Sequence, residues 1–451
     1  MLIVLIVATV IILIVATLKY PPIALGLFLT AGIVKATLVL EYGFFRIVDY
    51  TVLCAVLTLM ALAYSFIKGG GHLRGIISVP VVVYLLLATI LLLGTTYSSA
   101  PNYGLQKSTR FATLGLMALL APVIFAHSLK ELKLMLWILL IVGIFISAIT
   151  IMEPREAVIR PSAEERAGFL EAGGLATAPQ IGLASVVAFI FAIMAHTSKP
   201  LRIASLIVIP LTIVAVIITG SRGPFIGLGF TCLLAIFICR KGVSKAWLLV
   251  IITTVLIGTI IPFIKLPEKR TARIATMWKS SYHMKEAARS RTEMFAWVAA
   301  RAIKRPILGN GTGAFAVDRG GQDIRYYPHN IFLELLYEQG LIGGAILSLF
   351  LLFILIKWIK ASRFINLYEM DIGTFQTVHL AGLLFLFMFT QAMKSGDIND
   401  NRLMFFCAGL VLAAFNCVHR EVEIPRSESE LTTDDWQQME EIGFQDAQVL
   451  Y

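Results

Sequence analysis

Three polar segments of the sequence carry side chains suited to binding an anion and accepting a proton. Arg222 stands in a Gly-Ser-Arg-Gly-Pro turn between two apolar stretches, and Arg291 lies near the start of an amphipathic segment. A guanidinium presents a planar fork of donors that matches phosphate oxygens. His329 directly precedes Asn330, a plausible helix N-cap, and the helix dipole there favours a neutral imidazole that can accept a proton. These residue types predict an anion site with a general base beside it.

Each of these residues also has a purely structural interpretation. Arg222 at a helix end can reach lipid head groups, and Arg291 on a basic interfacial helix can bind anionic lipid. His329 can instead be a structural residue at the helix cap, with no chemical role. The residue types alone leave both interpretations open.

Other polar segments follow in the same half of the chain. The glycine-rich run 309–313 can cradle phosphate with its amides, although a flexible turn is favoured. Asn330, Glu334 and Glu338 are spaced by four, so they are predicted to line one polar face of a helix that ends at Gly340. The polar turn 395–402 can contact sugar hydroxyls or simply close a hairpin.

The composition predicts which elements position these residues. Of 451 residues, 58% are hydrophobic and 15% are charged, and the mean hydropathy is +0.83. Soluble domains carry roughly 45–50% apolar and about 25% charged residues. A membrane-spanning helix needs about 20 mostly apolar residues. The fold class is therefore all-α, a polytopic integral membrane protein with 12 or 13 transmembrane helices. The apolar stretches are 2–18, 21–40, 51–67, 80–96, 111–127, 133–152, 180–196, 201–219, 224–239, 246–264, 340–358, 376–394 and 402–418.

Basic residues in the short loops predict the orientation and four regions. One set of loops holds 13 Lys and Arg and the alternate set holds 9, which places the first set in the cytoplasm. Lys107 and Arg110 then fall in an outward loop. The regions are an N-terminal bundle of about ten spans at 1–264, a long periplasmic loop with a catalytic helix at 265–339, C-terminal transmembrane helices at 340–418, and an acidic cytoplasmic tail at 419–451. The tail is predicted to be largely disordered.

The long loop is predicted to contain a surface helix and to attract anions. Apolar spacing through Phe295, Val298 and Ile303 indicates an amphipathic helix that ends at Pro306. Residues 265–328 hold thirteen Lys and Arg against five Asp and Glu, a net charge of +8. This charge favours an anionic ligand or membrane lipids. No nucleic-acid motif is present, so no nucleic-acid partner is expected.

Several other classes of chemistry are disfavoured. The five cysteines lie in apolar stretches, without a disulfide framework or metal-ligand spacing. No Asp-x-Asp pair or zinc motif appears, so we expect metal-independent chemistry and no cofactor. Charged residues at mid-membrane depth are scarce, Lys35 being the clearest, which counts against an ion-coupled transporter.

Taken in order, these segments resemble the O-antigen ligase/polymerase family of bacterial envelope proteins. Arg166-Ala167-Gly168 is similar to an earlier outer-loop element of the family. Pro179-Gln180 replaces the Pro-Asn pair of many members, and Phe295 stands where members often carry Trp. The matching positions are Ser221-Arg222-Gly223, Arg291, Pro306–Gly311 with Phe315, Pro328-His329-Asn330, Glu338–Gly343, and Ser395-Gly396-Asp397 with Arg402.

The resemblance implies an enzyme of the bacterial inner membrane with its site facing the periplasm. The implied donor is a glycan on undecaprenyl pyrophosphate, and the implied acceptor is a sugar hydroxyl of lipid A–core or another glycan. Arg222 and Arg291 would bind pyrophosphate, and His329 would act as general base in an inverting glycosyl transfer. Substrate contacts are further implied at Arg166, Arg289, Tyr327, Asn330, Glu338, Asp397 and Arg402.

Alternative functions remain open at this point. Within the family they are an O-antigen or exopolysaccharide polymerase and a protein O-oligosaccharide ligase. From other classes they are a lipid-linked glycan transporter and a non-catalytic assembly scaffold.

Overall fold

The described part of the chain is almost entirely helical. A computed structural model describes residues 14–41, 49–68, 76–152, 155–156, 167–168, 174–194, 197–219, 221–239, 281–394 and 397–423. Within these ranges the only strands are β1 (Arg155–Glu156) and β2 (Ala167–Gly168), which form a two-residue antiparallel pair. From Pro21 onward the helices are α1 (Pro21–Glu41), α2 (Tyr50–Lys68), α3 (Val79–Gly94), α4 (Pro101–Phe125), α5 (Leu129–Met152), α6 (Gly174–Ile193), α7 (Lys199–Ile218), α8 (Arg222–Ile238), α9 (Ser281–Ala302), α10 (Ala314–Gly320), α11 (Ile331–Leu367), α12 (Ile372–Ala392) and α13 (Arg402–Glu423).

The length and apolarity of these helices confirm an all-α polytopic membrane protein. In the described ranges, eight helices are long and apolar enough to cross a bilayer, and three shorter apolar helices lie within α1, α6 and α8. These eleven helices correspond to eleven of the thirteen apolar stretches predicted from the sequence. The stretch 246–264 lies outside the described residues, and 2–18 does so in part.

The predicted regions agree with the described helices in part. Helices α9 and α10 lie in the described part of the long loop, whereas residues 265–280 and 424–451 lie outside the description. Helix α11 continues through the predicted boundary at 339–340, but Gly340 interrupts it with φ 63° and ψ −157°. The prediction of a loop at Lys107 and Arg110 is wrong. Both lie on α4, which continues through a π-helical turn at Phe111–Gly115 into its apolar half.

The core of the bundle forms where α13 packs against α4, α11 and α12. The Tyr84 ring on α3 stacks on Phe111 at 4.5 Å between centroids and meets the edge of Phe405 at 5.1 Å. Its hydroxyl donates to the Phe111 carbonyl, the first of the π-helical turn, at 2.7 Å. Gly409 allows α13 to approach α4 closely, since a Cβ there would lie 2.2 Å from the Leu119 carbonyl oxygen.

At one end of this bundle, several of the polar segments singled out in the sequence lie beside the turn between α3 and α4. We call this end of the bundle the site end. Hydrogen bonds and close contacts join its parts to one another, as described below. Its parts are Thr95–Pro101, Ser221–Gly223, 303–330, 393–394 and 397–401.

Candidate functional site

His329 is held in an uncommon backbone conformation at the start of α11. Its φ is +58°, in the left-handed region that few non-glycine residues adopt. The next residue, Asn330, caps α11 by accepting from the amides of Phe332 and Leu333, both at 3.0 Å. This confirms the predicted N-cap. The imidazole remains partly exposed and meets the Tyr327 ring edge-on at 4.7 Å between centroids.

Arg222 lies close to the same framework. It is the first residue of α8 and is partly exposed, and Ser221 before it is buried. A Cβ at Gly223 would lie 3.6 Å from Gln391 Oε1 and 3.7 Å from Lys394 Cδ, so α8 starts beside the end of α12. The Asn330 side chain donates to the Met393 carbonyl at 3.1 Å. Arg222 and His329 therefore flank the same end of α12.

A buried ion cluster lies beneath this surface. Lys107 Nζ donates to Glu338 Oε1 at 2.8 Å and Oε2 at 2.7 Å, and it also pairs with Glu334. All three side chains are fully buried. Glu334 in turn accepts from the backbone amide of Ile398 at 3.2 Å. The predicted polar face of α11 therefore points inward, towards a cation on α4.

A second set of contacts joins α4 to the polar turn before α13. The Tyr103 hydroxyl, one turn before Lys107, donates to Asp397 Oδ2 at 2.7 Å. Asp397 is buried and also accepts from the Asp400 amide at 3.0 Å. Asp323 accepts from the amides of Asn102 and Tyr103 at the start of α4, at 2.9 and 2.8 Å. An acidic side chain is favourable at this positive end of a helix.

The outer rim of the site end is charged. Arg325 pairs with Asp400, and its Nε lies 3.6 Å from Asp397 Oδ2. Burial opposes the positive charge of Arg325, but the two carboxylates outweigh that effect and raise its pKa. The guanidinium also lies 5.3 Å from the centre of the Tyr327 ring. Burial, with the Asp400 carboxylate nearby, raises the pKa of the Tyr327 hydroxyl, so it stays protonated at neutral pH.

The glycine-rich run 309–313 is neither a phosphate cradle nor a flexible turn. Its amides are already used: those of Asn310 and Gly311 donate to the carbonyls of Tyr337 and Glu338 at 3.0 and 2.8 Å, and that of Thr312 donates to Gly94 at 3.0 Å. The interruption of α11 at Gly340 lets the Leu341 amide donate to Pro306 at 2.7 Å. We call residues 306–313 the glycine clip, because they fasten the long loop to α3 and α11.

Helix α9 buries a face that differs from the predicted one. Val298 is buried and Phe295 partly so, but Ile303 is 77% exposed, because α9 ends at Ala302 rather than at Pro306. The Trp297 ring packs against Phe315 at 5.5 Å and Tyr337 at 5.4 Å between centroids. The C-terminal part of α9 therefore packs against α10 and α11 through a cluster of aromatic residues.

Apart from Arg166, the remaining predicted site residues lie on α9, on α13 and in or beside the buried network. Arg289 and Arg291 lie on α9, but their side chains are outside the described part, and so is the whole of Arg166. Arg402 begins α13 and holds its guanidinium carbon 5.6 Å from the centre of the Phe28 ring. Its Nη1 is buried and finds no hydrogen-bond partner in the described residues. Arg402 therefore points towards α1, whereas Asn330, Glu338 and Asp397 lie in or beside the buried network.

Sequence reasoning missed Lys107 and Tyr103. Their spacing of four places them on one helical face, but a chain segment with Lys and Arg between two apolar stretches is also typical of a loop. The signal that identifies them is the polar face of α11, which needs a buried cation to neutralise it. In the described residues, no group of three or more His, Cys, Asp or Glu side chains is placed to hold a metal ion.

Comparison with known families gives one finding that bears on this site. Residues 206–348 match the family model described as O-antigen ligase. The match includes α8 with Arg222, the long loop, His329, Asn330 and both glutamates of the buried cluster. No significant match to a curated protein sequence is found. The family match confirms the resemblance to O-antigen ligases drawn from the sequence.

Proposed function

We propose that this O-antigen ligase-like membrane enzyme transfers a glycan from undecaprenyl pyrophosphate to a sugar hydroxyl of lipid A–core. The site end faces the periplasm of a bacterial inner membrane in this proposal. Arg222 and Arg291 bind the donor pyrophosphate, and His329 is the general base. The transfer uses no metal and inverts the anomeric carbon.

The chemical step requires one proton acceptor and stabilisation of one leaving group. The acceptor oxygen attacks the anomeric carbon, and its hydroxyl proton passes to the His329 imidazole. The bond from that carbon to the pyrophosphate oxygen breaks, and its electron pair leaves with undecaprenyl pyrophosphate. Donors preorganised around the developing negative charge lower the barrier, and guanidinium groups suit that task.

The observation that supports this proposal most strongly is the backbone of His329. A left-handed conformation at a non-glycine residue costs of order 1–3 kcal/mol and tends to occur where function requires it. A residue needed only to precede a helix cap could adopt ordinary extended backbone. Here the strained residue is a partly exposed imidazole, and Arg222 lies at the same end of α12.

The test compares His329→Ala with His127→Ala in a strain that lacks the chromosomal gene. His127 is an exposed histidine just before α5, so its loss serves as the matched control. General-base catalysis contributes roughly 10²–10⁴-fold, and we expect His329→Ala to lose transfer by that factor. His127→Ala should transfer normally. The amount of each variant in the membrane, measured by immunoblot, must equal that of the wild type. Normal transfer by His329→Ala would overturn the proposal.

The length of the accumulated lipid-linked glycan identifies the acceptor class. Long chains on undecaprenyl pyrophosphate in the deletion strain would show that polymerisation is intact and ligation is lost. Single repeat units, with lipid A–core carrying at most one unit, would instead identify a polymerase. Arg222→Ala, with exposed Arg363→Ala as control, should accumulate the same species as the deletion.

A further inference from the structure

We propose that Lys107 is a positioning residue for His329. It would fix the first two turns of α11 and thereby the place of the imidazole at their start. The inference rests on the general-base role proposed for His329. Lys107 itself is buried and would touch neither substrate.

The geometry constrains α11 at two points one turn apart. Only nine residues of α11 precede the interruption at Gly340. Lys107 pairs with the carboxylates of Glu334 and Glu338 from the facing helix. The two contacts therefore resist both sliding and rotation of this short segment. Glu338 uses both of its oxygens, at 2.8 and 2.7 Å, which further limits movement.

The contacts close a ring around three elements. Tyr103 on α4 binds Asp397, and Glu334 on α11 accepts from the neighbouring Ile398 amide. Lys107 links α4 to α11 directly. The cap of α11, Asn330, bonds to Met393 at the end of α12, close to Arg222. Rotation of α11 would thus shift His329 relative to Arg222.

Stability alone gives no reason to keep charges here. Buried ion pairs cost desolvation energy, and well-packed neutral replacements are often neutral or stabilising. Removing one partner is a different matter, since it strands a buried charge. The role that best explains a fully buried Lys between two carboxylates is therefore precise positioning of the helices. A displacement of about 1 Å at a catalytic group can reduce the rate by about 10²-fold.

The experiment replaces the whole cluster with neutral groups of similar size. The variant Lys107→Met/Glu334→Gln/Glu338→Gln leaves no buried charge unpaired and keeps an acceptor for Ile398. Purified full-length protein in proteoliposomes is assayed with lipid-linked glycan donor and lipid A–core acceptor. We expect kcat to fall at least tenfold, the KM for the donor to change less than threefold, and the melting midpoint to remain near that of the wild type, because positioning affects the chemical step.

The matched control neutralises a different ion pair, Lys35→Met/Asp49→Asn. Lys35 lies on α1 and Asp49 just before α2, and about one-third of each side chain is exposed. We expect kcat to stay unchanged in this control. A kcat equal to the wild-type value in the triple variant would overturn the inference. If the triple variant does not fold, Glu338→Asp decides. A lower kcat at an unchanged melting midpoint supports positioning, and an unchanged kcat refutes it.

A further arm separates this inference from the proposed function. Inactive His329→Ala together with a fully active triple variant would remove only the role of Lys107. Fully active His329→Ala would remove the proposed function itself. Exchange of the charges in Lys107→Glu/Glu338→Lys should recover part of the kcat lost by Lys107→Glu alone, whereas no recovery would count against a specific contact.

Discussion

The two ends of the bundle satisfy their polar groups in different ways. At the site end, Lys107 pairs with Glu338, 231 positions later, and Tyr103 binds Asp397, 294 positions later. At the opposite end, the Glu131 side chain accepts from the amide of Ser128, three positions earlier. Buried ion pairs and hydrogen bonds therefore tie distant segments together at the site end, whereas this capping contact at the opposite end stays within the start of one helix.

Burial differs in the same direction. The side chains of Lys107, Glu334 and Glu338 are fully buried, whereas Asp371, which caps α12 at the opposite end, is exposed. Breaking a buried ion pair typically costs about 3–5 kcal/mol, whereas losing an N-cap costs about 1 kcal/mol. The comparison thus predicts a steep gradient of mutational sensitivity from one end to the other.

The largest effect on stability is expected at the interruption of α11. In Gly340→Ala, the new Cβ would lie 2.3 Å from the Ile307 carbonyl oxygen, and the φ of +63° with ψ of −157° is strained for alanine. We expect the glycine clip to detach and the melting midpoint in detergent to fall by about 3 °C or more, since strain and clash together exceed about 3 kcal/mol.

Gly344→Ala provides the matched control in the same helix. A Cβ there meets nothing within 4 Å in the described residues. Alanine in a helix interior is favoured over glycine by up to about 1 kcal/mol. The control should therefore melt at or above the wild-type temperature. Equal melting of the two variants would show that the clip contributes nothing to stability.

An intermediate effect is expected for Tyr103→Phe. The substitution removes the donor that lies 2.7 Å from Asp397 Oδ2 and leaves a buried carboxylate with one hydrogen bond fewer. Leaving such a group unsatisfied costs about 1–3 kcal/mol. We expect a lower melting midpoint than for Tyr64→Phe, which alters an exposed tyrosine on α2. A Tyr103→Phe protein as stable as Tyr64→Phe would mean that solvent replaces the lost donor.

The same comparison explains what the sequence could predict. The spans follow from apolar length, and the Asn330 cap from residue type and position, because both signals are local. The inward polar face of α11 could be predicted from spacing, but its partner could not. Pairing over 231 positions depends on which helices pack together, and the local sequence around Lys107 is also compatible with a loop. The prediction of a flexible turn at 309–313 is wrong for the same reason, since amides of that run donate to carbonyls of α3 and α11.

The smallest effect is expected at the opposite end, for Asp371→Ala. Asp371 accepts from the amides of Gly373 and Thr374 at 2.7 and 3.2 Å, and the hydrogen bond from the Thr374 hydroxyl is the main cause that lowers its pKa. Because the pKa of Asp371 is lower in the folded state, its carboxylate stabilises the fold at pH values above the unfolded pKa of about 3.9. That contribution disappears as the pH falls through the folded pKa. The free energy of unfolding of the wild type should therefore exceed that of Asp371→Ala by about 1 kcal/mol at pH 7. As the pH falls through the folded pKa of Asp371, the two proteins should converge. Melting curves from pH 7 to pH 3 measure the difference, and a gap that widened on acidification would contradict the capping role and, with it, the expected gradient between the two ends.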